Sequence, residues 1–149
     1  MVKVTIASVA VRGRSERFDG LVAEYLERSR AYAEVESQVF KTSGALFDWV
    51  ERLKGRTAPV LVLLDECGKQ LSSEGLAEWI RRQRDEGQQR LVFAIGAADG
   101  WSDAERARAG ALLSLGPMTL PYQLARVVLS EQLYRAFTIL AGHPYHHRD

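Results

Sequence analysis

PVLVLLD, residues 59–65, is an almost unbroken apolar run of strand length, bracketed by Pro59 and Asp65. A strand with one wet face alternates apolar with polar residues, whereas a continuous run of Val and Leu suits a central parallel strand covered on both faces. LVFAI, residues 91–95, has the same character and runs directly into GAADG. Between the two, after the loop ECGKQL, Ser72 or Ser73 is placed to cap a helix carrying Leu76, Trp79 and Ile80, and Gly87 closes it. Buried strands alternating with helices predict an α/β sheet that is mostly parallel and flanked by helices.

The same alternation continues outward. Towards the N-terminus, Val2, Val4 and Ile6 open a first strand that ends at Arg12-Gly13-Arg14. Phe18, Leu21, Val22, Tyr25 and Leu26 recur at helical spacing, residues 34–40 read as a second strand, and Leu46, Trp49, Val50 and Leu53 mark a second helix ended by Gly55. Towards the C-terminus, Ser102-Asp103-Ala104-Glu105 is a capping-box pattern. A short strand around Leu112 to Leu115 meets the loop GPMTLP. A long helix then runs from Tyr122 to Ala141, with Gly142 and Pro144 beyond its end. The 149 residues fit one domain, 1–149, without internal repeats.

Composition excludes more than it suggests. Twenty Lys and Arg against nineteen Asp and Glu leave a net charge of +1, so any nucleic-acid surface has to be a local patch. The single cysteine, Cys67, rules out an internal disulfide and a Cys-cluster zinc site. The first residues lack a signal-peptide pattern, and no apolar stretch approaches bilayer length, so a cytoplasmic protein with no membrane segment is expected.

In open α/β sheets, ligands bind outside the carboxyl ends of the strands, which points to ECGKQL, GAADG and GPMTLP. GAADG is neither a dinucleotide fingerprint nor a P-loop, and a plain tight turn is its commoner use. Met118 and Leu120 either line a flat pocket or pack into the core. Asp65 and Glu66, adjacent on a strand, point to opposite sides, a poor geometry for a paired acid and base. Cys67, beside acidic neighbours, reads as an ordinary thiol. RRQR (81–84) and RAR (106–108) read as solvated helix faces. Arg126 and Arg135 interrupt an apolar helix and need an anionic partner, with Glu131 the structural candidate and RNA phosphate the competing one. All three histidines, His143, His146 and His147, crowd into the last seven residues, HPYHHRD. That is either a solvated tail or a tail that acts on a site.

LDECGKQLSSEGLAEWI, VFAIGAADG and LSLGPMTLPYQLARVVLSEQLYRAFTILAGHPYHHRD together resemble the RlmH family, formerly YbeA, of small SPOUT-superfamily methyltransferases. The resemblance is strong after residue 58 and weaker before it. Its most specific parts are MTLPxQxxRVVLxEQxYRA and the ending PYH. It implies an α/β knot, in which the C-terminal segment forms a deep trefoil. It also implies S-adenosylmethionine-dependent methylation of N3 of a pseudouridine in the helix 69 loop of bacterial 23S ribosomal RNA, on the assembled ribosome. By position, the cofactor would lie against Leu64, Gly96, Ala97, Leu115, Gly116, Pro117, Met118, Thr119 and Leu120. A homodimer would share its active site, the tail of one subunit bringing Tyr145, His146 and Arg148 to the RNA beside its partner's cofactor, with no metal. Arg12, Arg14 and Arg17 would join Arg148 in a local basic patch.

Three positions depart from the family pattern. Ala97 stands where a second glycine is usual, so its backbone has to keep a negative φ. Tyr122 replaces a histidine, and two histidines rather than one precede Arg148. The rival readings keep the fold with another RNA target, or make the protein a silent ribosome binder. The complete PYH ending followed by Arg148 favours an enzyme.

Overall fold

The computed structural model describes residues 2–10 and 16–147. Arg12, Gly13 and Arg14 at the expected end of the first strand, and Arg148 of the tail, lie outside the described residues. In chain order the elements are β1 Lys3–Val9, α1 Glu16–Ser29, β2 Glu34–Phe40, α2 Ser43–Leu53, β3 Val60–Gln70, α3 Ser73–Asp85, β4 Arg90–Ile95, α4 Asp103–Ala107, β5 Ala111–Ser114 and α5 Tyr122–Ala141. The strands form one five-stranded sheet in the order β2-β1-β4-β3-β5, and each pairing is parallel.

Each central strand feeds both faces, as its composition requires. On one face Val62 of β3, Leu91, Phe93 and Ile95 of β4, and Val4 and Ile6 of β1 meet Leu76 and Ile80 of α3 and Leu129, Leu133 and Phe137 of α5. On the other, Leu61, Leu63, Val92, Ala94, Ala7 and Val9 meet Leu46, Phe47 and Val50 of α2, together with Trp101. The period of two along a strand sends alternate side chains to opposite layers.

The helix starts follow the cap chemistry. Ser72 Oγ accepts from the Gly75 N–H at 3.0 Å, so Ser72 is the cap of α3, while Ser73 Oγ instead donates to Gln132 on α5. The Ser102/Glu105 capping box opens α4 with both reciprocal bonds present. Gly142, at φ +73°, ends α5 in the left-handed conformation, and the His143 N–H reaches back to Thr138 O at 2.9 Å.

The main difference from expectation is β3. Instead of stopping at Asp65, it resumes pairing and runs to Gln70, because Leu64 and Lys69 both align with Leu113 of β5 while residues 65–68 loop out between them. Gly68 makes this possible. A Cβ there would lie 2.7 Å from Leu112 C and Leu113 N, which are backbone atoms of a neighbouring strand with nowhere to go. Glu66, Cys67 and Gly68 of ECGKQL are therefore part of an excursion inside a strand, and Lys69 and Gln70 rejoin it, rather than the whole segment being a loop after one.

Gly68→Ala is expected to destabilise the protein by about 2–4 kcal/mol through backbone overpacking. Gly20→Ala, in α1 with open space around the added methyl, is expected to stabilise it by up to about 1 kcal/mol. Urea unfolding midpoints of the two variants and the parent measure both.

Candidate cofactor pocket and folded-back tail

Trp101 organises the carboxyl ends of β3 and β4. It is 5% exposed, packs edge-on against Phe47 at 6.1 Å, and donates its indole N–H to Leu64 O at 2.9 Å. Gly96 lies beneath the ring, where a Cβ would come within 2.9 Å of the indole. The expected site residues Leu64 and Gly96 thus meet at one aromatic side chain, and the Leu64 carbonyl is occupied by it. GAADG closes as a tight turn, with the Gly100 N–H bonded to Ala97 O at 2.8 Å and Gly100 at φ +73°. Among the described residues no non-glycine has positive φ, so the Ala97 methyl adds no backbone strain.

The third loop builds a pocket. Leu115 and Gly116, with Leu71, Leu113, Val128 and Leu129, line a cavity of about 230 Å³ between the end of β5, the approach to α3 and the flank of α5. Gly116 has φ +128°, and no atom lies within 4 Å of where its Cβ would be, so a ligand meets bare backbone there. Apolar walls interrupted by Gln70, Ser72, Ser114 and Gln132, with one bare peptide, suit a nucleoside such as that of S-adenosylmethionine. Thr119 Oγ1 donates to Glu66 at 3.0 Å, tying this loop to the β3 excursion. Met118, 81% exposed, and Leu120 project outward rather than into the core, with Pro117 exposed beside them. Ala97 lines a different cavity of about 390 Å³, among the end of β1, the turn before α2 and the loop from β4 to α4, with Val9, Lys41, Ser43 and Ser102. The nine expected cofactor residues therefore divide among the pocket, the Trp101 contact, the exposed loop and this second hollow.

Asp65 and Glu66 do diverge: while Glu66 takes Thr119, the buried Asp65 side chain accepts from Arg106 Nε at 2.7 Å and from the Cys67 N–H at 2.8 Å. Burial pushes the Asp65 carboxyl up, but these donors and the Arg106 charge together outweigh it and hold it below the ordinary aspartate value. In the RAR segment Ala107 and Arg108 are exposed, as expected of a solvated face, and only Arg106 turns partly inward. Arg106 clamps α4 to β3, and Arg108 pairs with Glu51 and covers the Phe47 ring at 4.4 Å. RRQR behaves as expected, with exposed Arg81 paired to Glu78 and Asp85 on its own helix. Arg126 is buried, as expected, but its partners are Asp19 of α1 at 2.9 Å and Gln123 at 2.6 Å; Glu131 pairs with Arg135 instead, at 2.7 Å. Tyr122, in the place of a histidine, accepts from Gln123. Arg17 is exposed at the start of α1.

The tail folds back along α5. Its turn is closed by His143 Nδ1, which accepts from the Tyr145 N–H at 3.2 Å. Tyr145 packs edge-on against Tyr134 at 4.7 Å and lies under the Arg135 guanidinium at 5.0 Å, and burial followed by the Glu131 charge raises its pKa. The His146 ring sits between Arg135 Nη1 and Glu74 Oε1, each at 2.9 Å. Glu74 lies in the first turn of α3, close to the pocket residues Ser72 and Leu76. His147 is exposed. Among the described residues no helix is long and apolar enough to cross a membrane, and no cluster of His, Cys, Asp and Glu would hold a metal ion.

Comparison with known proteins gives consistent matches. A family model described as "Predicted SPOUT methyltransferase" matches residues 2–146. Ribosomal RNA large subunit methyltransferase H of Koribacter versatilis is 53% identical over 126 residues, covering 85% of this chain and 86% of that protein. The protein of the same name from Pelobacter propionicus is 47% identical over 144 residues, covering 91% and 94%. Among solved structures, a probable methylase family protein from Haemophilus influenzae aligns with TM-score 0.53 at 9% identity, over 99% of this chain and 70% of that one. The SpoU methyltransferase AviRb from Streptomyces viridochromogenes, in complex with AdoMet, aligns with TM-score 0.50 at 16% identity, over 94% of this chain and 58% of that one. At these identities the structural likeness is one of fold.

Asp65 ionises more readily folded than unfolded, so its contribution to stability is complete above the unfolded aspartate pKa of roughly 4 and fades as pH falls through the lower, folded value. Asp65→Asn is expected to cost about 1–3 kcal/mol at pH 7, with the gap from the parent narrowing in acid. Unfolding midpoints at neutral and acid pH check this, and a gap independent of pH would refute it.

Proposed function

The chain belongs to the SPOUT methyltransferase family, and from that premise we propose that it methylates large-subunit ribosomal RNA at N3 of a pseudouridine in the helix 69 loop, on the assembled ribosome, with S-adenosylmethionine as donor. The observation that carries the reading is the 53% and 47% identity, across most of the chain, to proteins named for methylation of that RNA. The finer target rests on the resemblance of the MTLP-to-PYH segment. The reading extends to the knotted C-terminal threading that the same resemblance implies.

When bound, S-adenosylmethionine supplies an electrophilic methyl group on a sulfonium. The apolar residues of the pocket, Leu71, Leu113, Leu115, Val128 and Leu129, would pack against the bound nucleoside, and the bare Gly116 backbone admits close approach. The pseudouridine N3 carries a proton that has to leave before or during attack. His146 is the proposed acceptor, with Tyr145 orienting the base and Arg148 stabilising the anion that develops on O2 or O4. Alignment of N3 with the methyl carbon and sulfur supplies much of the rate.

The reading includes a homodimer. The buried residues of α5 face the sheet and its flanking helices, yet Leu124 and Val128, with Leu120 just ahead of the helix, form an exposed apolar row at a spacing of four. A helix apolar on both sides is normally buried on both, and a second copy would cover this row and share the site across a two-fold axis.

Transfer of labelled methyl to ribosomes lacking the modification is expected to place the label on N3 of the helix 69 pseudouridine, and truncation after Gly142 to abolish it. Leu124→Glu is expected to give monomers by analytical ultracentrifugation and to lose transfer at least tenfold. A monomeric variant with full activity would refute the shared site.

A further inference from the structure

The bonds around His146 determine which of its nitrogens carries the proton. A guanidinium only donates, so the contact from Arg135 Nη1 makes Nδ1 the acceptor of that bond. Nε2 then holds the hydrogen and donates it to Glu74 Oε1 at 2.9 Å. His146 is less than a fifth exposed, which keeps water from replacing either bond freely. Glu74 comes from a different element, the first turn of α3, whose place is fixed by the Ser72 cap and by the Ser73–Gln132 bond to α5.

We propose that Glu74 is a positioning residue for methyl transfer: it holds His146 in the Nε2–H tautomer, so that Nδ1 is the nitrogen presented to the substrate proton. This rests on the methyltransferase reading above. As RNA engages, Arg135 Nη1 releases Nδ1 while its Nε stays on Glu131. The N3 proton passes to Nδ1, and the electron pair left on N3 forms the bond to the methyl carbon as the carbon–sulfur bond breaks with its pair on sulfur. The resulting imidazolium keeps its Nε2–H on the Glu74 carboxylate. Neither ring orientation nor tautomer has to change during the step, a division of labour known from carboxylate–histidine pairs in hydrolases.

The test has two readouts. Nitrogen-15 NMR of the free protein reports the tautomer of each histidine, with His146→Gln assigning the signals. The Nε2–H form is expected to dominate at His146, to persist in Arg135→Met, where Glu74 alone sets it, to relax to a mixture when Glu74→Ala is added to that variant, and to persist in Glu74→Gln, whose amide oxygen accepts the same bond. Single-turnover methyl transfer is expected to fall about tenfold to a hundredfold in Glu74→Ala with KM little changed, and to recover in part in Glu74→Gln. An Nδ1–H or mixed tautomer in the parent protein overturns the proposal, as does full activity in Glu74→Ala. If the parent fails to label ribosomes, the functional reading fails and the tautomer result still decides whether Glu74 sets the state of His146.

Discussion

Everything at the carboxyl end of the sheet depends on one place where two backbones touch with no side chain between them. Gly68 crosses Leu112 and Leu113 so closely that β3 can leave the sheet after Leu64 and rejoin it at Lys69, opposite the same residue of β5. The excursion fans its side chains apart: Asp65 turns to Arg106 and α4, and Glu66 turns to Thr119 and the loop before α5. The carbonyl just before it takes the Trp101 indole from the loop after β4. Two loops and the short helix α4, which share no sequence pattern, are thereby fastened to one short stretch beside the pocket at Leu115 and Gly116.

Legibility in the sequence follows the range of the interaction. The buried strands were plain in PVLVLLD and LVFAI because burial on both faces leaves a continuous apolar run, and the caps at Ser72 and Ser102 were plain because cap and partner lie three residues apart. Gly68 left no signal, since a backbone contact imposes no periodicity and a lone glycine reads as a turn. Trp101 bonds a carbonyl 37 residues away, and Arg126 finds Asp19 at a separation of 107, so neither partner was deducible. Glu131 suits Arg135, four residues on, and is five from Arg126, off the face that helical spacing brings together. Among the candidate site residues, Leu115 and Gly116 line the cavity beside α5, whereas the exposure of Met118 and Leu120 depends on where the loop lies, which composition does not encode.

The crowding of histidines at the chain end has a structural counterpart. His143 closes the turn after Gly142 within the tail itself, and His146 is held from both sides by Arg135 and Glu74, so one ring shapes the tail and another fastens it to the body it leaves. Tyr145, wedged between Tyr134 and Arg135, adds apolar contact. A tail held in this way has already given up much of its conformational freedom before any RNA arrives, which lowers the entropic cost of recruiting it.

The strand order also bears on how the chain comes together. β3 lies between β4 and β5, and both are downstream of it. As the chain emerges from synthesis, the apolar run at the start of β3 therefore waits for both of its neighbours, and the close contact at Gly68 forms only when β5 arrives. Parallel pairings of this kind form late and leave sticky surface exposed in the interim. The segment easiest to recognise as a strand is among the last to be satisfied as one, and that interval is when the nascent chain is most open to misassociation.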